Sequence, residues 1–364
     1  MMDFELDQEQ KMLTEAIGRF ARERVRKVFR DADEEGKIPA DLVQAGWEIG
    51  LLPTTIPEQY GGFGEYSVVT GAVAVEAFAW GDLATTFQIL TPNLVAVPVM
   101  LAGTNEQKAQ YLPLFCGETP PRVTAALTEP TIKYDPRCLQ TTAVPENGHY
   151  VLNGVKAYVP LAAEAELVLV YANENGRTQA FLIPRHTEGL TIDDDREKLM
   201  GIRALPTYRL HLDNCRIPAE NRLGGQHGID FNRILNHSRV ALGAAAVGMA
   251  QAAFEYARDY AKQRVQFGEP IAHRQSIAFM LAEMAMDVDA ARLMVWETAW
   301  LLDKGEDATR AATVMKTYVD DRVLDVADRA VQTLGGYGYI REYPAELWLR
   351  NARGFAMFDG LAIV

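Results

Sequence analysis

The sequence predicts a mainly α-helical protein with a small, barrel-like β-domain in its middle. Three observations predict this fold: apolar residues at helical spacing in the first third, strand-like alternation in the middle, and long amphipathic patterns at the end. With 364 residues and 48% hydrophobic content, the chain can supply a core for each unit. We predict an N-terminal helical domain over 1–121, a β-domain over 122–220 and a C-terminal helical bundle over 221–364.

The first third is predicted to be helical from its first residues onward. Asp7, followed three positions later by Gln10, has the pattern of a capping box at a helix start. Helical patterns continue, with loops between them, to about Phe115. The apolar residues that recur at helical spacing in the first helix are Leu13, Ile17, Phe20, Ala21 and Val25.

The middle third carries the pattern of β-strands. Asn153-Gly154 lies between two short strand-like stretches, and this dipeptide is the strongest short signal for a hairpin turn. We therefore predict a compact β-domain with a hairpin turn at Asn153-Gly154. Further strands are predicted over 167–171 and 180–183 and at the alternating residues Tyr208, Leu210 and Leu212.

The last third predicts long amphipathic helices, which pack as an antiparallel bundle. A nearly uncharged stretch over 240–254 is shorter than the roughly 20 apolar residues that cross a bilayer. We predict a buried helix there and no membrane span. The core positions predicted in two other helices are Ile277, Leu281, Met284, Val288, Ala291 and Val295, and Met315, Val319, Val323, Val326, Ala330 and Leu334.

Charge and motif content argue against several classes of function. Lys and Arg total 36 against 49 Asp and Glu, without a basic stripe, so nucleic acid is not an expected partner. The three cysteines form no CxxC pair and the six histidines no HExxH motif, so neither a disulfide nor a metal site is expected. The acidic start lacks the basic and apolar segments of a secretory signal, which predicts a cytoplasmic protein.

Four local motifs, in the same order along the chain, resemble signatures of the acyl-CoA dehydrogenase family. They are residues 126–130 (ALTEP), 153–158 (NGVKAY), 264–268 (RVQFG) and 332–339 (QTLGGYGY). The resemblance extends from Leu6 to Gly360 and implies that the C-terminal bundle has four helices. It also implies FAD as the cofactor and an acyl-CoA as the substrate.

The resemblance implies two groups of cofactor-binding residues. The ring-side residues, expected beside the flavin ring, are Leu127, Thr128, Tyr158 and Pro160. The adenine-side residues, expected to reach the FAD of a neighbouring chain, are Arg264, Phe267, Gln332, Gly335 and Gly336. Cations, an aromatic surface and close backbone approach suit a pyrophosphate and an adenine. A cofactor site shared between chains implies a homo- or hetero-tetramer.

The family reaction is α,β-dehydrogenation of an acyl-CoA thioester: a carboxylate removes the α-proton and a hydride passes from the β-carbon to flavin N5. Asp359 stands at the position of the family's base, and Arg239 matches an arginine near that base. Another branch carries its base where this chain has Ser238, which is not a carboxylate. The resemblance therefore implies Asp359 and Arg239 as catalytic residues and an electron-transferring flavoprotein as candidate acceptor.

The sequence departs from the family pattern around the flavin ring. Lys133-Tyr134-Asp135 replaces a Gly-Ser-Asp run, and Pro160 stands where relatives carry a threonine whose hydroxyl bonds flavin N5. Three functions stay open: a dehydrogenase that uses Asp359, a flavin oxidase acting on a non-CoA carbon acid, and a non-catalytic subunit that completes the adenine half of a partner's FAD site.

Overall fold

The first third of the chain is helical, as predicted. The structure is a computed structural model that describes residues 5–64 and 66–364, so residues 1–4 of the predicted acidic start lie outside the described part. The predicted capping box is present: Gln10 N donates to Asp7 Oδ1 at 2.8 Å and Asp7 N donates to Gln10 Oε1 at 3.1 Å. The helices are α1 (Gln8–Phe20), α2 (Arg26–Glu35), α3 (Ala40–Trp47), α4 (Leu51–Thr55), α5 (Val68–Gly81), α6 (Leu83–Leu90), α7 (Asn93–Ala102) and α8 (Asn105–Tyr111).

The middle third forms one curled sheet of seven strands. The strand order is β1-β4-β2-β3-β7-β6, and β5 pairs with β4. Strands β3 and β7 form a long antiparallel pair, whereas β1 and β4 run parallel. The strands are β1 (Val123–Ala126), β2 (Thr142–Glu146), β3 (His149–Pro160), β4 (Leu167–Glu174), β5 (Arg177–Pro184), β6 (Leu190–Ile192) and β7 (Thr207–Pro218).

The hairpin turn predicted at Asn153-Gly154 is wrong. Both residues lie inside the unbroken strand β3, at a register shift against β7. The turn is instead at Asn147-Gly148, whose φ values of 47° and 79° are those of a two-residue hairpin. A Cβ at position 154 would lie 2.5 Å from Thr141 Oγ1, so glycine there permits a close approach within a bulge. Asn147-Gly148 and Asn153-Gly154 are Asn-Gly pairs six residues apart, and local sequence does not distinguish their roles.

The last third forms a helical bundle in which α9, α10 and α11 pack together and α13 packs on α9 and α11. Helix α9 has the length and apolar composition of a membrane span, as do α6 and α7 taken as a bent pair. The apolar window of α9 is 78% buried inside the protein, which confirms the predicted buried helix. The elements are α9 (Phe231–Gln263), β8 (Val265–Gln266), β9 (Glu269–Pro270), α10 (Gln275–Asp303), α11 (Thr309–Leu334), α12 (Gly336–Tyr339) and α13 (Ala345–Ala352).

The segment after α13 lies between the helical core and the β-domain. Leu361, Ala362 and Val364 pack in the helical core, whereas Ile363 packs in a second apolar cluster with Leu127 and other residues of both domains. Asp359 immediately precedes these buried residues. The fold thus places the predicted base where the domains meet.

Candidate active site

A buried ion pair anchors the segment that follows β1. Lys156 Nζ lies 3.0 Å from Glu129 Oε1 and donates to the carbonyl of Leu127 at 2.9 Å. The Glu129 carboxylate also accepts from the backbone N–H groups of Gln140 and Thr141, at 2.7 and 2.8 Å. Burial raises the pKa of Glu129, but Lys156 and these donors outweigh it and hold the pKa below its ordinary value. Burial lowers the pKa of Lys156 to about 8. These bonds fix residues 127–129 in one geometry.

Thr128 links this anchored segment to residues 358–361, the Asp359 loop. Its carbonyl accepts from Ala157 N at 2.9 Å, and its hydroxyl donates to the carbonyl of Asp359 at 2.8 Å. Gly360 packs so closely on Leu127 that an added Cβ would lie 2.9 Å from Leu127 Cβ. The structure therefore brings Leu127 and Thr128 together with Asp359, which lies 231 positions after Thr128 in the sequence.

Tyr158 and Pro160 lie at the irregular end of β3. Tyr158 and Leu161 have φ values of 56° and 53°, which are uncommon for residues other than glycine and cost conformational energy. Tyr158 N donates to Glu197 Oε2 at 2.8 Å, and Thr124 Oγ1 donates to the carbonyl of Pro160 at 2.6 Å. Neighbouring side chains thus hold this end of the strand in an unfavourable backbone conformation.

Charged and polar side chains from three elements surround Asp359, which is half-buried. Arg239 on α9 lies near Asp359. Burial lowers the pKa of Arg239, and the negative charge of Asp359 raises it in opposition. Burial raises the pKa of Tyr134, and the charge of Asp359 raises it further. On α11, burial raises the pKa of Asp320 against the attraction of Lys316, 2.5 Å away. The predicted pair, Asp359 and Arg239, is therefore close in space.

Several buried polar atoms around this loop have no hydrogen-bond partner among residues 5–64 and 66–364. Buried polar groups are almost always hydrogen-bonded, and unsatisfied ones are typical of sites that a ligand or water completes. Their clustering fits a binding site for a polar group next to Asp359. The atoms are Tyr134 OH, Ser238 Oγ, Arg239 Nε and Asp320 Oδ1.

A polar outer cavity of about 800 Å³ lies between the β-domain and the start of α9. Its wall includes Arg137, Arg177 and Arg222. Arg222 pairs with Glu174 at 2.7 Å, whereas Arg177 has no ion-pair partner within the described part of the chain. These arginines are spread over three segments and form no local motif, so the sequence alone did not predict them.

An apolar inner cavity of only about 20 Å³ lies beside the Asp359 loop. Leu127, Ser238, Gly360 and Ile363 line it. Phe231 lines both this inner cavity and the outer cavity, so it stands between them. A volume of this size holds about one water molecule.

The adenine-side residues occupy a surface of the C-terminal domain, away from the buried anchor. The guanidinium of Arg264, just before β8, lies 5.3 Å from the ring centre of Tyr337. This contact connects the β8–β9 segment to the glycine turn after α11. Phe267 is 92% exposed. The adenine-side residues exposed on this surface are Phe267, Gln332, Gly335 and Gly336.

The glycine turn has room for a bound group. Gly335 has φ 60° and ψ −132°, a conformation that residues with a side chain rarely adopt. A Cβ at Gly335 or Gly336 would meet nothing within 4 Å. An open turn, a guanidinium and an exposed aromatic ring fit the pyrophosphate and adenine of FAD.

Three family models match successive parts of the chain. The acyl-CoA dehydrogenase N-terminal domain matches residues 7–118, the middle domain matches 124–215 and the C-terminal domain matches 229–362. Together they span nearly all of the sequence.

Individual proteins are similar over the same length. Probable acyl-CoA dehydrogenase YngJ of Bacillus subtilis (strain 168) is 36% identical, over 99% of this chain and 96% of the relative. The caffeyl-CoA reductase-Etf complex subunit CarC of Acetobacterium woodii is 32% identical, over 98% and 96%. The solved structure of butyryl-CoA dehydrogenase from Megasphaera elsdenii superposes with a TM-score of 0.89 at 31% identity, over 98% and 96%. The chain belongs to the acyl-CoA dehydrogenase family of FAD-dependent oxidoreductases.

Proposed function

We propose that this chain dehydrogenates an acyl-CoA thioester, with Asp359 as the base that removes the α-proton. Bound FAD supplies the hydride acceptor for this chemistry. The observation that carries the proposal is the convergence on Asp359: the Thr128 hydroxyl holds its carbonyl, and Arg239 and unsatisfied buried atoms lie around it.

The surrounding residues suit Asp359 to this role. The bond from Thr128 fixes the backbone of the loop, so the short aspartate side chain has a defined reach. The guanidinium of Arg239 stays charged and lies near enough to Asp359 for the two charges to interact. A positioned carboxylate of this kind is a general base.

The outer cavity supports coenzyme A as the carrier. Coenzyme A is rich in phosphate groups, and arginine is the side chain best suited to bind phosphate by charge-assisted hydrogen bonds. The volume of about 800 Å³ is that of a ligand site. Phe231 lines both cavities and Gly360, the neighbour of Asp359, lines the inner one, so a ligand held by the arginines extends toward the loop that contains Asp359.

We further propose that the adenine-side residues face the FAD of a neighbouring chain in a homo- or hetero-tetramer. Their exposure supports this arrangement, because Phe267 and Gln332 find few contacts within their own chain. The Acetobacterium woodii relative is a subunit of a caffeyl-CoA reductase-Etf complex, which supports an electron-transferring flavoprotein as acceptor.

The change Asp359→Asn tests the proposed base. The amide keeps the shape but does not accept the α-proton, so anaerobic flavin reduction by butyryl-CoA is expected to slow at least about 100-fold while FAD stays bound. The matched control is Asp321→Asn, an exposed position on α11, which is expected to leave the rate unchanged. Near wild-type reduction in Asp359→Asn would remove this residue from the mechanism.

A second candidate function is favoured by the small inner cavity and by Pro160, which offers no hydroxyl to a flavin. In this case the chain is a non-catalytic subunit that completes the adenine half of a partner's FAD site. It then binds FAD weakly alone, a co-expressed homologue restores binding, and Arg264→Ala empties the partner's site. Full FAD occupancy of the lone chain with reduction by an acyl-CoA contradicts this candidate, whereas catalysis without coenzyme A binding indicates a flavin oxidase.

A further inference from the structure

Ile363 is a buried side chain in the wall of the inner cavity, beside Gly360 and the loop that contains Asp359. Its side chain is 2% exposed and packs in the apolar cluster that includes Leu127 and Phe231. What remains open there is the inner cavity of about 20 Å³, which holds about one water molecule. An acyl chain of several carbons does not fit into that volume.

The segment that carries Ile363 is held in place by both helical domains. Asn93 Nδ2 donates to the carbonyl of Ile363 at 3.3 Å, and His237 Nδ1 lies 2.7 Å from the carbonyl oxygen of Val364. Gly71 on α5 packs so closely that an added Cβ would lie 2.9 Å from Val364 Cβ. The position of Ile363 is therefore fixed by contacts on either side of it.

The outer and inner cavities meet at Phe231, which determines the side from which a thioester enters the inner cavity. A ligand held in the outer cavity enters the inner cavity past Phe231, which lines both, and Ile363 is among the side chains that line the inner cavity. The α- and β-carbons lie at Asp359 in the proposed reaction, so only the remainder of the acyl chain needs the inner cavity.

We infer that Ile363 determines acyl specificity by excluding acyl groups that extend far beyond the β-carbon. The inference rests on the proposed function, since it takes coenzyme A into the outer cavity and Asp359 as the base. The substrate class is a coenzyme A thioester of a short acyl group, such as propionyl or butyryl.

The test compares octanoyl-CoA with propionyl-CoA in the flavin-loaded protein, in the assembly in which it is isolated. Affinity is measured by calorimetry and anaerobic flavin reduction by stopped flow. Wild-type protein is expected to favour propionyl-CoA. The change Ile363→Ala is expected to raise both the affinity and the reduction rate for octanoyl-CoA, relative to those for propionyl-CoA, by about tenfold or more. This is the range that methylene-sized changes produce in apolar pockets. Ile363→Val, which removes a single methylene, is expected to shift it less in the same direction, and it keeps the test valid where alanine prevents folding.

Ile183→Ala is the matched control, because Ile183 is equally buried but lies in the core of the β-domain. Ile183→Ala weakens core packing without enlarging the inner cavity. Its preference between octanoyl-CoA and propionyl-CoA is therefore expected to equal that of wild type. Wild-type protein that binds octanoyl-CoA as tightly as propionyl-CoA, or Ile363 variants with an unchanged ratio, would overturn the inference. Coenzyme A is titrated in parallel: its failure to bind overturns the proposed function as well, whereas retained binding with an unchanged ratio overturns the role of Ile363 alone.

Discussion

The ring-side residues are fixed inside the protein, whereas the adenine-side residues stand on its surface. Lys156, which anchors Leu127 on the ring side, is fully buried and makes two polar contacts. Phe267 on the adenine side is 92% exposed, and the positions a Cβ would take at Gly335 and Gly336 are open. The chain completes one half of the proposed cofactor site by folding and presents the other half outward.

This difference separates two kinds of substitution effect. A change on the ring side disturbs buried hydrogen bonds and lowers the free energy of unfolding of the chain. A change on the adenine side removes few contacts within the chain, so it affects FAD binding and assembly more than folding. Measurements of unfolding and of FAD binding on the same variants therefore test the comparison directly.

The largest expected effect on stability is that of Lys156→Met. Removing the ammonium leaves the buried Glu129 carboxylate without its cation, and breaking such a pair costs about 3–5 kcal/mol. Urea unfolding measures this loss. The control is Arg122→Ala, at the exposed pair Arg122–Glu166, where a loss below about 1 kcal/mol is expected. Equal losses in the two variants would contradict the buried anchor.

The sequence predicted most of the fold because helical and strand periodicities report local burial. Of the six core positions predicted in α10, four are buried and two, Ile277 and Leu281, are only half-buried; the buried ones are Met284, Val288, Ala291 and Val295. The hairpin turn was misplaced because Asn-Gly suits both a turn and a bulge, and only the pairing of β3 with β7 distinguishes them. Periodicity describes one element at a time and contains no information on such pairing.

The candidate site was predictable only where its residues lie in local motifs. Thr128 and Asp359 could be named from the motifs, but the hydrogen bond between them joins residues 231 positions apart. The arginines of the outer cavity and Ile363 in the inner cavity belong to no motif. Their roles depend on which segments the fold brings together.

The next expected effect concerns acid stability and the buried histidine His237 on α9. Burial, with a smaller contribution from nearby Arg233, lowers the pKa of His237 from 6.5 to about 4, against the bond to Val364, which raises it. Between pH 6.5 and about 4 the unfolded chain takes up a proton that the folded chain does not, so this histidine destabilises the fold as pH falls. The shift corresponds to about 3 kcal/mol.

His237→Gln is therefore expected to lose less stability than wild type between pH 7 and pH 4, as chemical unfolding at each pH would show. His273→Gln, at an exposed position near Phe267, is the control and is expected to follow the wild-type curve. Parallel curves for wild type and His237→Gln would contradict the buried neutral imidazole.

A smaller effect is expected at the glycine turn of the adenine side. Gly335→Ala forces a side chain into φ 60° and ψ −132°, at a cost of about 1–3 kcal/mol. Its neighbour Gly336 begins helix α12 and has no positive φ, so Gly336→Ala is expected to be neutral within about 0.5 kcal/mol. Thermal unfolding of the two variants compares them, and equal stabilities would show that the turn tolerates a side chain.

The smallest expected effect on stability is that of Phe267→Ala, and it separates folding from cofactor binding most clearly. Since the ring is 92% exposed, its loss is expected to change the free energy of unfolding by less than about 0.5 kcal/mol. If the ring packs on the adenine of a neighbour's FAD, the same change weakens FAD binding about tenfold, because aromatic stacking on a base contributes about 1–3 kcal/mol. FAD titration of the assembled apoprotein measures this loss. Phe63→Ala, at a 71% exposed phenylalanine of the N-terminal domain, is expected to alter neither quantity. Unchanged FAD affinity in Phe267→Ala would remove the ring from the cofactor site, whereas a large loss of stability would show that the surface is held together within the chain and not by its neighbour.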